Sequence, residues 1–247
     1  MSGTSASLID LADTGSRLEG APAEDILQWA ISSVPRFAVS SSFGADSAVL
    51  LHLLAQIDPS VPVLFIDTGF HFPETIAYRH QIAELLGLID VRDLRPDLSV
   101  AAQGRLHGGG LYVRDPDLCC AIRKVAPLDA ALADFDGWAS GLRREQTIDR
   151  ADTPVIQLVR RGERELVKAA PLARWTGEDL TDYLRRHDLP RHPLADAGYP
   201  SIGCAPCTRP VATGDDPRAG RWAGQSKTEC GIHLELPLIP APGGEAS

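Results

Sequence analysis

Five cysteines fall in three places: Cys119-Cys120 side by side, Cys204-Ala205-Pro206-Cys207 as a spaced pair, and Cys230 alone within Lys227-Thr228-Glu229-Cys230-Gly231-Ile232-His233. Two close pairs from distant segments can bring four sulfurs to one point, as a thiolate metal centre requires. The Cys204/Cys207 spacing alone suits zinc, a redox dithiol or an iron–sulfur cluster equally well. Cys119-Cys120 discriminates better, because structural zinc pairs usually keep about two to four residues between ligands. Either pair by itself reads as buried core thiols; the two together favour a four-cysteine cluster. Cys230 is then left over, an unpaired thiol available as a nucleophile. Lys227 and His233 flank it and Arg218 and Arg221 precede it. Such cations favour thiolate and can hold an anionic substrate, with Glu229 opposing them.

Small polar residues gather at two other points. Phe37-Ala38-Val39 runs into Ser40-Ser41-Ser42-Phe43-Gly44-Ala45-Asp46-Ser47, and Val63-Leu64-Phe65-Ile66 runs into Asp67-Thr68-Gly69. Each reads as a strand ending in a tight loop, the place where open parallel sheets bind ligands. The first loop leads into a helix over Ala48–Ile57, apolar nearly all round. Free amides at its N-terminus could hold phosphate or sulfate without a lysine. The competing reading is a turn and a helix cap. No Walker A or G-x-G-x-x-G sequence is present.

These loops need a frame, and the chain's patterning supplies one. Helical spacing of Ile26, Leu27, Ala30 and Ile31 precedes the first strand. Tyr78, Ile82, Leu85 and Leu86 share one stripe after the second. Further strands are expected in 88–94 and 138–142, a hairpin over 155–169, and a helix near 177–187 with Thr176 as its cap. Alternating strands and helices predict an α/β domain with a mostly parallel sheet flanked by helices. Residues 1–20 read as a mobile arm, 21–235 as one domain with its cluster and catalytic segment at 200–235, and 236–247 as a flexible tail with three prolines.

The 247 residues are 44% hydrophobic, enough for a sizeable core without disulfides. No secretory leader and no membrane-length apolar run is read, so clustered thiols are expected in a reducing cytoplasm. A net charge of −9 argues against broad nucleic-acid binding. A homo-oligomer is compatible with all of this.

Taken in order, Ser42-Phe43-Gly44-Ala45-Asp46-Ser47, Asp67-Thr68-Gly69, the two cysteine pairs, Gly141-Leu142-Arg143-Arg144-Glu145-Gln146, Arg218-x-x-Arg221-Trp222 and Glu229-Cys230-Gly231-Ile232-His233 resemble the assimilatory sulfonucleotide reductases, specifically the iron–sulfur adenylyl-sulfate (APS) reductases. The match spans most of 25–235. It implies an adenine-nucleotide alpha-hydrolase-like fold related to ATP pyrophosphatases. It also implies a [4Fe-4S] cluster on Cys119, Cys120, Cys204 and Cys207, and thioredoxin-dependent reduction of adenylyl sulfate to sulfite and AMP through a Cys230 S-sulfocysteine.

By the same resemblance, Ser41, Ser42, Phe43, Gly44, Asp46 and Ser47 approach ribose and phosphate, and Asp67, Thr68 and Gly69 border the adenosine. Lys124 links cluster and substrate. Arg218, Arg221 and His233 hold the anion, together with Arg143 or Arg144. Phe43 stands where the pyrophosphatase pattern commonly has glycine, which disfavours ATP splitting. The nearest alternative is a phosphoadenylyl-sulfate (PAPS) reductase or a dual-substrate enzyme, which ordinarily lacks the paired cysteines. An RNA-thiolating ATP pyrophosphatase and a zinc-stabilised binding module are more distant readings.

Overall fold

The computed structural model describes residues 8–232. Six strands form one sheet: β1 (Phe37–Ser41), β2 (Val63–Ile66), β3 (Val91–Leu94), β4 (Gly137–Ser140), β5 (Ile156–Arg161) and β6 (Arg164–Ala169), in the order β3-β2-β1-β4-β6-β5. All neighbours are parallel except β5, which pairs antiparallel with β6 through the expected hairpin. The helices are α1 (Leu8–Leu18), α2 (Ala23–Ser33), α3 (Ser47–Ile57), α4 (Pro73–Leu85), α5 (Val100–His107), α6 (Leu111–Arg114), α7 (Pro116–Cys120), α8 (Ala126–Leu132) and α9 (Gly177–Arg186). The predicted α/β class is the observed one.

The central strands are buried on both faces, so their sequences are apolar runs rather than alternations. Against one face lie α2, α3 and α9, with Ile26, Leu27, Leu51, Leu54 and Leu180 in the core; against the other lies α8, with Leu128 and Leu132 packed on Trp138. Helix α3 buries Ala48, Val49, Leu50, Leu51, Leu53 and Leu54, the all-round apolar helix anticipated. Thr176 caps α9 in a reciprocal box with Asp179, satisfying amide donors that the first helical turn leaves open.

Residues 8–18 correct the expected arm. They form α1, which packs on β5 and buries Thr14 and Leu18. The stabilising contact is with a strand more than a hundred residues away, which local patterning does not reveal. Residues 1–7 and the 236–247 tail lie outside the described residues.

Candidate active site

Strands β1, β2 and β3 progress one way across the sheet while β4 and β6 lie on the other side of β1. The carboxyl ends of β1 and β4 therefore flank a switch point, where a ligand crevice opens in folds of this kind. A cleft of about 420 Å³ lies there, lined by Ser41, Gly44, Asp46 and Ser47 after β1 and by Arg143 after β4. Arg218 and Arg221 close its other wall. The volume is within the usual range for a small-ligand site. Asp46 makes no side-chain cap to α3. Its carboxylate instead meets Arg143 Nη2 at 3.2 Å, and the same nitrogen lies 3.5 Å from Glu145. Burial pushes the Asp46 carboxyl above its ordinary range, against the pull of Arg143. Arg143 lines the cleft, and its Nε and Nη1 are buried without a hydrogen-bond partner among the described residues. Arg144 turns away to Glu19 at 2.6 Å and the Thr153 carbonyl at 2.9 Å.

Phe43 is placed differently from expectation. It does not line the 420 Å³ cleft, is fully buried, and packs edge-on against Phe65 at 5.5 Å. Its φ of +46° lies in the left-handed region that glycine favours, a conformation costing about 1–2 kcal/mol for other residues. Ser41 Oγ accepts from Phe43 N at 3.1 Å and fixes the turn. Burial of the ring offsets the strain and aims Ser41 and Gly44 at the cleft while the phenyl group points into the core.

A second chamber of about 130 Å³ shares Arg218, Arg221 and Ile202 with the cleft and contains Cys230, Lys124, Ser42 and Thr68. Lys124 sits on a π-helical turn, Ala121–Val125, between α7 and α8; such turns recur at functional sites. Burial opposes its charge, yet Cys204, Cys230 and Cys120 hold its pKa above the usual lysine range. Cys230 is half-buried. Burial disfavours its thiolate, but Lys124, the Ile232 amide and Arg221 together outweigh burial and Glu229, so the thiol is lowered. Trp222 also lines the chamber, and Arg221, Lys227 and Lys124 stand 4.6, 5.6 and 6.0 Å from its ring centre, where the negative ring face attracts each. A Cβ at Gly203 would meet the Arg221 guanidinium, so any side chain there would displace this arginine.

The Cys230 segment has no regular secondary structure and is held by side chains from several elements. Lys227 pairs with Asp117 on α7. Thr228 donates to Asp149 at 3.2 Å and its carbonyl accepts from Arg218 at 2.9 Å. The Glu229 carboxylate, 5% exposed, takes a two-pronged grip from Arg150 at 2.7 and 2.5 Å and a third bond from Thr147 at 3.1 Å. Arg161 donates to the Ile232 carbonyl.

Beyond Lys124 and Cys204, which line both spaces, a small cavity of about 10 Å³ is bordered by Cys119, Cys120, Cys204 and Cys207. All four are free thiols. Burial raises Cys119, and pushes Cys120 up to about 12 and Cys207 up to about 11; these sulfurs become thiolates only with a positive partner. Thr68 Oγ1 lies 3.4 Å from Cys204 Sγ, and Gln103 Nε2 lies 3.8 Å from Cys119 Sγ. Among the described residues no group of three or more His, Cys, Asp or Glu forms a site for a single metal ion. Cys119 and Cys120 at the end of α7 and Cys204 and Cys207 border the same space, a four-thiol donor set whose chemistry fits an iron–sulfur centre.

Other expectations divide. Thr68 faces Cys230 and Cys204 rather than the 420 Å³ cleft. Asp67 and Gly69 line none of these three spaces; Asp67 accepts from Gly69 N at 3.0 Å and Arg95 Nε at 3.1 Å. His233 lies outside the described residues. Sequence reading missed Arg150, Gln103 and His71. The His71 Nε2 proton goes to the Ile66 carbonyl at 2.8 Å, and burial lowers its pKa, so a neutral ring borders the Cys230 chamber.

Comparison with known proteins bears on the family. Adenosine 5'-phosphosulfate reductase of Streptomyces coelicolor is 48% identical over 220 residues, 89% of this chain and 91% of that protein. Phosphoadenosine 5'-phosphosulfate reductase of Gloeobacter violaceus is 46% identical over 200 residues, 80% and 82% of the two chains. Phosphoadenylyl-sulfate reductase from Candida auris superposes with a TM-score of 0.70 at 25% identity, over 83% of this chain and 98% of that one. Residues 36–210 match the phosphoadenosine phosphosulfate reductase domain, and the chain belongs to that family of sulfonucleotide oxidoreductases.

Proposed function

We propose that this chain reduces adenylyl sulfate to sulfite and AMP, with Cys230 as nucleophile, a dithiol protein of the thioredoxin type as reductant and a [4Fe-4S] cluster on the four paired cysteines. One observation carries the reading: the cleft, the Cys230 chamber and the four-cysteine cavity are consecutive spaces with shared walls, Arg218 and Arg221 at the first junction and Lys124 and Cys204 at the second. Adenosine occupies the cleft. The phosphosulfate reaches through the arginine junction, so the sulfur meets the Cys230 thiolate while the leaving phosphate stays beside cations.

The thiolate attacks sulfur, the sulfur–oxygen bond to phosphate breaks, and AMP leaves with that bond's electron pair. Cys230 then carries a sulfonate on its sulfur. A partner thiolate attacks Cys230 Sγ and expels sulfite; the partner's second thiol resolves the mixed disulfide, supplying the two electrons of the reduction. Each cation about 4 Å from an oxyanion contributes roughly 4 kcal/mol of gross Coulomb attraction near a surface, so local arginines and Lys124 outweigh the chain's acidic balance. When bound, the cluster supplies fixed charge beside Lys124. The chain's own residues do the rest: Lys124, Arg218 and Arg221 hold the anion, and Thr68 and Gln103 hold the sulfurs. Thiol-dependent turnover favours a reducing compartment such as the cytoplasm. Among the described residues no helix is long and apolar enough to cross a membrane.

Anaerobic purification with iron and sulfide analysis, followed by parallel assays with adenylyl sulfate and its 3'-phosphorylated analogue, tests the reading. Iron-bearing protein with higher kcat/KM for adenylyl sulfate is expected; equal or better use of the phosphorylated compound would reject the selectivity. The cleft gives one further prediction. Arg143→Ala removes unpaired donors and raises KM about 10- to 100-fold, the equivalent of one charge-assisted hydrogen bond. Arg144→Ala leaves KM unchanged. Comparable KM values for the two variants would take Arg143 out of the binding site.

A further inference from the structure

Gln103 lies on α5, and its side chain is only 3% exposed. A primary amide has a carbonyl end that only accepts and an NH₂ end that only donates. Here Oε1 accepts from Arg123 Nη1 at 3.0 Å, and Nε2 donates to Cys119 Sγ at 3.8 Å. This orientation is dictated. A guanidinium carries donors alone, so the oxygen must face Arg123 and the NH₂ group is turned toward sulfur. Arg123 is fixed in its turn, donating to the carbonyls of Thr68 and Leu98 with its guanidinium 5.1 Å from the Phe70 ring centre. The result is a directed relay from Arg123 through Gln103 to Cys119.

The relay has a purpose only for one state of the sulfur. A thiol is a weak acceptor, and a buried N–H donor set against it is poorly compensated. A metal-bound thiolate accepts strongly, and hydrogen bonds to cluster sulfurs tune both retention and potential. We infer that Gln103 is a positioning residue of the cysteine centre, an N–H donor to the ligated Cys119 sulfur that Arg123 locks in orientation. The inference rests on the four-cysteine cluster reading above. Thr68 stands in a parallel relation to Cys204. Phe70 N donates to its hydroxyl oxygen at 3.2 Å, which leaves the hydroxyl proton for the sulfur.

Gln103→Glu is the most informative variant. It keeps size and strengthens the pairing with Arg123, yet presents an acceptor oxygen to sulfur in place of a donor. Gln103→Leu, which removes both ends, serves as the second variant. Both are purified anaerobically beside wild type, with circular dichroism to report the fold. Iron and sulfide content, the rate of iron loss to a chelator and the reduction potential by spectroelectrochemistry are then measured. The expected result is normal fold, iron loss about 10-fold faster than wild type, and a potential shifted negative because the reduced centre loses a stabilising donor. Wild-type protein containing no iron or sulfide would remove the cluster reading, and this inference with it. A loaded wild type with iron-loss rates and potentials matched by both variants would overturn the role of Gln103 and leave the cluster standing.

Discussion

Replacing Cys230 with serine reduces sulfite formation by at least roughly 10⁴-fold, the scale of losing a covalent nucleophile. The chemistry requires an anion at that atom. Lys124, the Ile232 amide and Arg221 lower the cysteine thiol against the cost of burial; a serine hydroxyl starts so much higher that the same surroundings leave it neutral. Serine is nearly the same size, and Cys230 belongs to neither cysteine pair. The variant therefore keeps its fold, its iron content and its affinity for the nucleotide. Sulfite release and binding calorimetry separate these effects. A variant that loses nucleotide binding as well as turnover would mean that Cys230 acts through structure rather than as the nucleophile.

The second large effect belongs to the buried pair next to it. Glu229→Ala leaves Arg150 with a 9% exposed side chain and without its carboxylate. Breaking a buried ion pair from one side costs about 3–5 kcal/mol. The damage concentrates on catalysis, because Glu229 fixes the backbone that carries Cys230 and a displacement of about 1 Å can cost roughly 10²-fold in rate. kcat falls by that order while KM changes less, as Arg143 and Ser41 remain in the cleft. The pair also sets an acid limit. Burial works against the Glu229 carboxylate, but Arg150, Arg218 and Thr147 hold its pKa below the usual glutamate range. Its contribution is thus fully present above the unfolded-state value and is lost as pH falls through the lower folded-state value. Stability conferred by Glu229 is flat from pH 6 to 8 and disappears in acid, and Glu229→Gln lacks that acid-dependent part. Urea titrations of wild type and Glu229→Gln at several pH values below 5 measure the difference. A pH-independent difference between them would contradict an ionised Glu229.

The sheet and the loop after β1 were legible because their signals are local. Phe37-Ala38-Val39 and Val63-Leu64-Phe65-Ile66 are unbroken apolar runs that stop at Ser, Asp and Gly, and Thr176 precedes a helical stripe. The cysteine spacing was equally readable, since four thiols in two pairs need no fold to be noticed. Other features depend on contacts that sequence spacing does not encode. Arg150 and Glu229 are 79 residues apart, and Gln103 stands 20 from Arg123. Helix α1 carries Gly15 and mixed polar residues, and its place is set by β5. The resemblance groups Phe43 with the polar residues around it, but its left-handed backbone goes with a ring buried in the core. Arg143 and Arg144 look interchangeable in sequence, and only the competing carboxylates, Asp46 and Glu145 for one and Glu19 for the other, separate them.

The central claim is that a sulfonate passes through Cys230, and it is tested by mixing anaerobically purified wild-type protein with adenylyl sulfate in the absence of any reductant. Intact-protein and peptide mass spectrometry then follow the product. The account predicts one sulfonate per chain on the peptide containing Cys230, release of one AMP, and loss of the adduct with release of sulfite when a reduced dithiol protein is added. An adduct on Cys204 or Cys207, or multiple sulfite turnovers with reductant while no adduct ever forms on Cys230, would contradict it.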